Sequence, residues 1–144
     1  MESSVVTPYL TLFAVVVGGT IVMMRFMPRL MAGVPFVDAK SVHELMEGGA
    51  DVVVLDVRTQ DEFNGPLGHI PGAVNLAGME LDNRLKEGGA QFAELKNERI
   101  FVYCRTHNRS PRAARRLTKS GFTNVAIIKG GMMDWTKQKL PVER

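Results

Sequence analysis

The sequence predicts an α/β domain, a parallel sheet covered by helices on both faces, and three observations carry that prediction. Short apolar runs recur at residues 52–55, Ile100–Tyr103 and Val125–Ile128. None is interrupted by a polar residue, as expected of strands buried on both faces. Stretches with helical spacing alternate with these runs. The composition agrees: 144 residues, 45% hydrophobic and 23% charged, suit one folded domain of ordinary size.

Taken in order, the first segment stands apart. Residues 5–24 hold twenty side chains without a charge, and Glu2, Arg25 and Arg29 are the only charges before Asp38. As a helix this run would measure about 30 Å, the thickness of a bilayer's hydrocarbon core. A cleaved signal peptide would want a basic start and a small-x-small cleavage site. Glu2 stands at that start, and the stretch around Met31, Ala32 and Gly33 makes a poor site. A core helix would be interrupted by polar residues on one face. The expectation is therefore a single membrane-spanning helix, with residues 1–36 as anchor and short linker and residues 37–144 as the folded domain. Arg25 and Arg29 follow the run, so the positive-inside rule places the domain in the cytoplasm.

Beyond residue 36 the elements alternate. Ser41 and Glu44 have capping-box spacing, Val42, Leu45 and Met46 form a helical stripe, and Gly48-Gly49 ends it. Residues 52–55 read as a strand. Leu81, Leu85, Phe92 and Leu95 suggest one or two helical pieces broken at Gly88-Gly89. Ile100–Tyr103 and Val125–Ile128 read as two more strands. Between them residues 111–120 form a helix, with Pro111 at its start and Gly121 past its end.

Composition narrows the chemistry. Lys+Arg 18 against Asp+Glu 15 gives a net charge of +3, too mild for a dedicated nucleic-acid binder. One cysteine excludes an internal disulfide, a CxxC pair and a multi-cysteine metal cluster. Three scattered histidines point away from zinc, and no cofactor is implied.

In parallel sheets, sites form beyond the carboxyl ends of strands. Cys104 falls there, ending the run IFVY, and Arg105, Thr106, His107, Asn108 and Arg109 lead to Ser110, where the next helix begins. A lone cysteine is more often a small buried hydrophobe. Here a strand–loop–helix turn and two arginines supply what stabilises a thiolate.

At this loop the sequence resembles the rhodanese homology family of sulfurtransferases. The likeness runs from about Asp38 to Leu140. Upstream, Leu55-Asp56-Val57-Arg58 with Glu62-Phe63, followed by Gly68-His69-Ile70-Pro71-Gly72-Ala73-Val74-Asn75, is similar to the family's LDVR…EF…GHIPGAxN signature. Downstream, Gly130-Gly131 and Trp135 resemble its GG…W ending. One departure is His107, at a loop position where many members have glycine; it bears on donor preference and rate rather than on the fold.

The resemblance implies a catalytic Cys104 that carries a persulfide, taking sulfur from a small anionic donor such as thiosulfate. Cyanide, a thiol or a protein cysteine would accept it. Arg109 should fold beside the loop, and Arg105 should be freer to meet the donor. Asp56 and Arg58 read as a structural ion pair or as support for the site, His69 as a hydrogen-bonded loop residue, and Trp135 as core. Arg112, Arg115, Arg116 and Lys119 share one helical face with no nearby acid in sequence, a solvated face that attracts anions.

Two other classes remain open. A tethered, non-catalytic module of this family would bind a partner through its loop. A cysteine phosphatase or arsenate reductase would want His-Cys-x5-Arg, whereas here four residues separate Cys104 from Arg109 and Tyr103 precedes the cysteine.

Overall fold

The structure, a computed structural model, describes residues 3–144, with the side chains of residues 3–7, 25–32 and 91 outside the description. Five parallel strands form one sheet in the order β1-β5-β4-β2-β3. They are β1 (Phe36–Val37), β2 (Val53–Asp56), β3 (Val74–Asn75), β4 (Ile100–Tyr103) and β5 (Val125–Ile128). The three central strands are those the apolar runs predict, with β2 shifted by one residue. The two edges escape sequence reading because each has only two residues, too few for a period to show.

Strand alternation divides the core in two. Ile100, Val102 and Cys104 face one side, where α4 (Leu81–Glu87), α5 (Gly89–Leu95) and α6 (Ser110–Lys119) cover them with Leu81, Phe92, Ala113, Ala114 and Leu117. Phe101 and Tyr103 face the other, against Val42 of α2 (Ala39–Glu47) and Met132 and Trp135 of α7 (Gly131–Lys137). Trp135 is fully buried, and its indole N–H donates to the Pro141 carbonyl at 2.7 Å.

One local expectation is corrected. Helix α2 starts at Ala39, and its cap is Asp38, whose carboxylate accepts from the Lys40 N–H at 3.1 Å; Ser41 lies inside the helix. A true capping box stands instead at α3 (Gln60–Phe63), between Thr59 and Glu62. Both sites have the right residue types, and the helix begins where the chain leaves β1.

Helix α1 (Ser3–Ala32) precedes the sheet and approaches α6. It runs through the expected span at residues 5–24, of which residues 5–7 lie outside the described side chains. Among the described residues no helix is long and apolar enough to cross a membrane. Residues 8–24 are exposed throughout, including Leu10, Phe13, Val16, Ile21 and Met24.

Candidate active site

The chain leaves β4 at Cys104 and turns over Arg105, Thr106, His107, Asn108 and Arg109 before Ser110 opens α6. Pro111 follows at a first-turn position where a missing N–H costs no helix bond. Cys104 is 1% exposed and belongs to the buried cluster under α6. Its Sγ lies 3.6 Å from Ser110 Oγ, itself fully buried. The thiol thus stands at the start of the loop and in the core at once, because the strand's inward alternation continues to Cys104.

Helix α7 holds the outer side of this turn. The Met132 N–H donates to the Cys104 carbonyl at 2.9 Å, and the Met133 N–H to the Arg105 carbonyl at 3.0 Å. Gly131 permits this approach. Its φ is +59°, and a Cβ there would collide with the carbonyl oxygens of Cys104 and Thr106. The Gly-Gly pair of the sequence is thus the seat of the loop.

The remaining loop side chains fan outward into three clefts. Arg105 lines one of about 340 Å³ with Asp61, Glu62 and Leu67. Thr106 and the exposed His107 line a broad one of about 570 Å³ with Met133, Asp134 and Lys137. Asn108 and Arg109 line a third of about 360 Å³ with Met79 and Arg112. Only Ser110 turns inward with the thiol.

Arg109 is fixed by a residue that sequence reasoning left without a role. Its Nη1 lies 2.6 Å from Glu62 Oε2 and its Nη2 2.7 Å from Oε1, a two-point pairing across 47 positions. These bonds, above all, hold the Glu62 carboxyl well down, to about 2. On Arg109 the same pairing raises an already high pKa. Glu62 also accepts from the Thr59 N–H at 3.1 Å, so one carboxylate ties the start of α3 to the loop. The Thr59-x-x-Glu62 spacing signals the cap; nothing in the sequence signals Arg109.

Below lies a second pair. Asp56 and Arg58 are 0% and 1% exposed, and Arg58 grips the carboxylate through Nε at 2.9 Å and Nη2 at 2.7 Å. The guanidinium also donates to the Glu62 carbonyl at 3.1 Å and the Gly68 carbonyl at 2.8 Å. Burial works to lower its pKa, and the bonds and charge of Asp56 outweigh that and raise it. Tyr103 lies beside this pair and accepts from the Ile70 N–H at 3.2 Å; burial, then the Asp56 charge, pushes its phenol far up. Asn75 donates to the carbonyls of Asp56 and Arg58 at 3.1 and 2.9 Å. His69 sits in a loop as expected, with Nδ1 3.1 Å from the Phe63 carbonyl and its ring stacked on Phe63. The long upstream motif is therefore a buried frame behind the loop.

On the basic face of α6 the four cations differ. Arg116 donates to the Gly78 carbonyl at 2.7 Å and lies 3.4 Å from Asp82. Arg112, Arg115 and Lys119 are exposed, and among the described residues no carboxylate pairs with them.

A parallel sheet with a cysteine loop seated between β4 and α6 defines the class, and residues 38–138 match the model of the rhodanese-like domain. The chain belongs to that family. It is 30% identical over 105 residues to YrkF of Bacillus subtilis, described as a candidate sulfur carrier; the match covers 73% of this chain and 52% of YrkF. It is 28% identical over 106 residues to a sulfurtransferase of Allochromatium vinosum, covering 74% of this chain and 92% of that protein. The crystal structure of a thiosulfate sulfurtransferase from Pseudomonas aeruginosa superposes with a TM-score of 0.66 at 29% identity, over 77% of this chain and 20% of that one. The chain thus spans about half of YrkF and a fifth of the Pseudomonas protein.

Proposed function

We propose that the chain is a sulfurtransferase working through a Cys104 persulfide. The observation that carries this reading is the Cys104 sulfur at the end of β4, 3.6 Å from the Ser110 hydroxyl, inside a turn closed by Arg109. The Cys104 thiolate attacks the outer sulfur of a donor such as thiosulfate, the donor's S–S bond breaks, and sulfite leaves with the electron pair. The turn's N–H groups and the start of α6 would face the outer sulfur, which carries negative charge as it transfers. An acceptor thiolate or cyanide then attacks that sulfur. The persulfide bond breaks, and Cys104 recovers its thiolate.

Arg109 holds the turn's shape and Arg105, exposed at the mouth, meets the anionic donor. Thr106, His107 and Asn108 form the rim, and Asp56 with Arg58 supports the frame. The test is a thiosulfate:cyanide assay beside a phosphatase assay. Sulfur transfer that disappears in Cys104→Ser, with one added sulfur on Cys104 by mass spectrometry, supports the reading. Phosphate release without sulfur transfer would place the chain among the cysteine phosphatases, and neither activity would leave a binding module.

We further infer that residues 5–24 anchor the chain in a membrane with the domain on the cytoplasmic side. Residues 8–24 of α1 are uncharged and exposed all round, which water does not favour. Arg25 and Arg29 follow them and give the orientation. The full chain should remain in the pellet after carbonate extraction, and a carboxyl-terminal alkaline phosphatase fusion should be inactive. Release by carbonate would overturn the anchor.

A further inference from the structure

Resting on the sulfurtransferase reading, we propose that the cleft between Met79 and α6 binds the acceptor, and that the acceptor is an acidic protein segment presenting one cysteine. Three observations converge. The thiol of Cys104 is 1% exposed, so a second thiol must arrive on a slender stalk, as an extended peptide would offer it. The cleft begins at the loop itself, with Asn108 and Arg109 at one end. Its apolar wall, Val57 and Ala113, lies in the same buried cluster as Cys104.

Charge selects this cleft over its neighbours. The cleft at Arg105 holds Asp61 and Glu62, and the cleft at His107 holds Asp134. The third is lined by Arg109, Arg112 and Arg116 with no carboxylate. Arg109 is committed to Glu62, and Arg116 to the Gly78 carbonyl and Asp82. Arg112 remains, exposed and without a carboxylate partner among the described residues. Beside it Met79 is 86% exposed, a flexible apolar side chain of the kind that moulds to a partner. An apolar residue laid on Met79 and Ala77, next to a carboxylate at Arg112, satisfies both features. The chemistry is the transfer step already written: the segment's thiolate takes the outer sulfur and leaves as a persulfide.

The experiment uses the full chain, loaded with thiosulfate, and three acceptors. These are cyanide, a short peptide with one cysteine flanked by leucine and two glutamates, and its counterpart with lysines in place of the glutamates. The wild type should favour the acidic peptide, and added salt should erode the preference. Arg112→Glu should reduce kcat/KM for the acidic peptide about fivefold or more, the scale of one lost charge pair. Met79→Asp should act in the same direction, and both variants should transfer to cyanide as the wild type does. Equal use of the two peptides would overturn the proposal, as would an equal loss with cyanide. So would an Arg112→Glu variant that keeps its peptide preference but binds phosphatidylglycerol vesicles less well, since lipid would then be what the face meets. Absence of all transfer, cyanide included, would instead sink the sulfurtransferase reading.

Discussion

Two carboxylate–guanidinium pairs adjoin at Glu62, whose carbonyl accepts from Arg58 and whose carboxylate holds Arg109, and they differ in depth. Asp56 and Arg58 are 0% and 1% exposed at the side chain, whereas Glu62 and Arg109 are 29% and 42% exposed. Their contacts are alike, with shortest distances of 2.7 and 2.6 Å. Burial changes what each does. A buried charge has no water to fall back on, so the deep pair must exist for the fold to exist. The shallow pair can open at small cost to the fold, because water receives both partners. Its weight falls on the shape of the loop.

The largest expected effect breaks the deep pair. Arg58→Met leaves the Asp56 carboxylate buried and strips a donor from the Glu62 and Gly68 carbonyls. Urea unfolding should show a loss of about 3–5 kcal/mol, much of a domain's margin. A loss below about 1 kcal/mol would mean that water reaches Asp56 and that the two pairs are not different in kind.

The shallow pair should behave in the opposite way. Glu62→Gln should cost less than about 1 kcal/mol in unfolding, yet lower sulfur transfer to cyanide several-fold by freeing Arg109. Arg109→Lys should add little to that loss, because the two-point grip is already gone. If the two substitutions multiply, Arg109 shapes the loop without Glu62.

A smaller effect appears in acid. Arg109 holds Glu62 at about 2, below the ordinary 4.5. The stability this pairing adds is therefore complete above pH 4.5 and is lost as pH falls towards 2. The melting temperature of the wild type should exceed that of Glu62→Gln at pH 6, and the gap should close on acidification. A gap constant down to pH 2 would assign the difference to the cap on α3 rather than to the ion pair.

The contrast also marks what a sequence can disclose. Central strands were legible because burial on both faces leaves an unbroken apolar run, as at Ile100–Tyr103 and Val125–Ile128. The position of Cys104 was legible because strand ends and helix starts leave local signs. The Asp56–Arg58 pair, two residues apart, could be guessed. Glu62 with Arg109 could not: 47 residues separate them, and neither type is unusual on a surface. The inward side chain of Cys104 follows the alternation of Ile100 and Val102. The turn beyond it carries no such sign, and its path depends on what α7 does to the carbonyls of Cys104 and Arg105.

That last dependence has a consequence in time. The carbonyls of Cys104 and Arg105 find their donors at Met132 and Met133, on the far side of Gly131. During synthesis each of these carbonyls emerges 28 positions before its donor. A nascent chain, or a fragment clipped after β5, would carry the thiol, both arginines and the buried frame, and still lack the donors that set the turn's outer edge. On the proposed sulfurtransferase reading, reactivity would arrive with the last helix, and a half-made chain would carry its cysteine without yet being a catalyst.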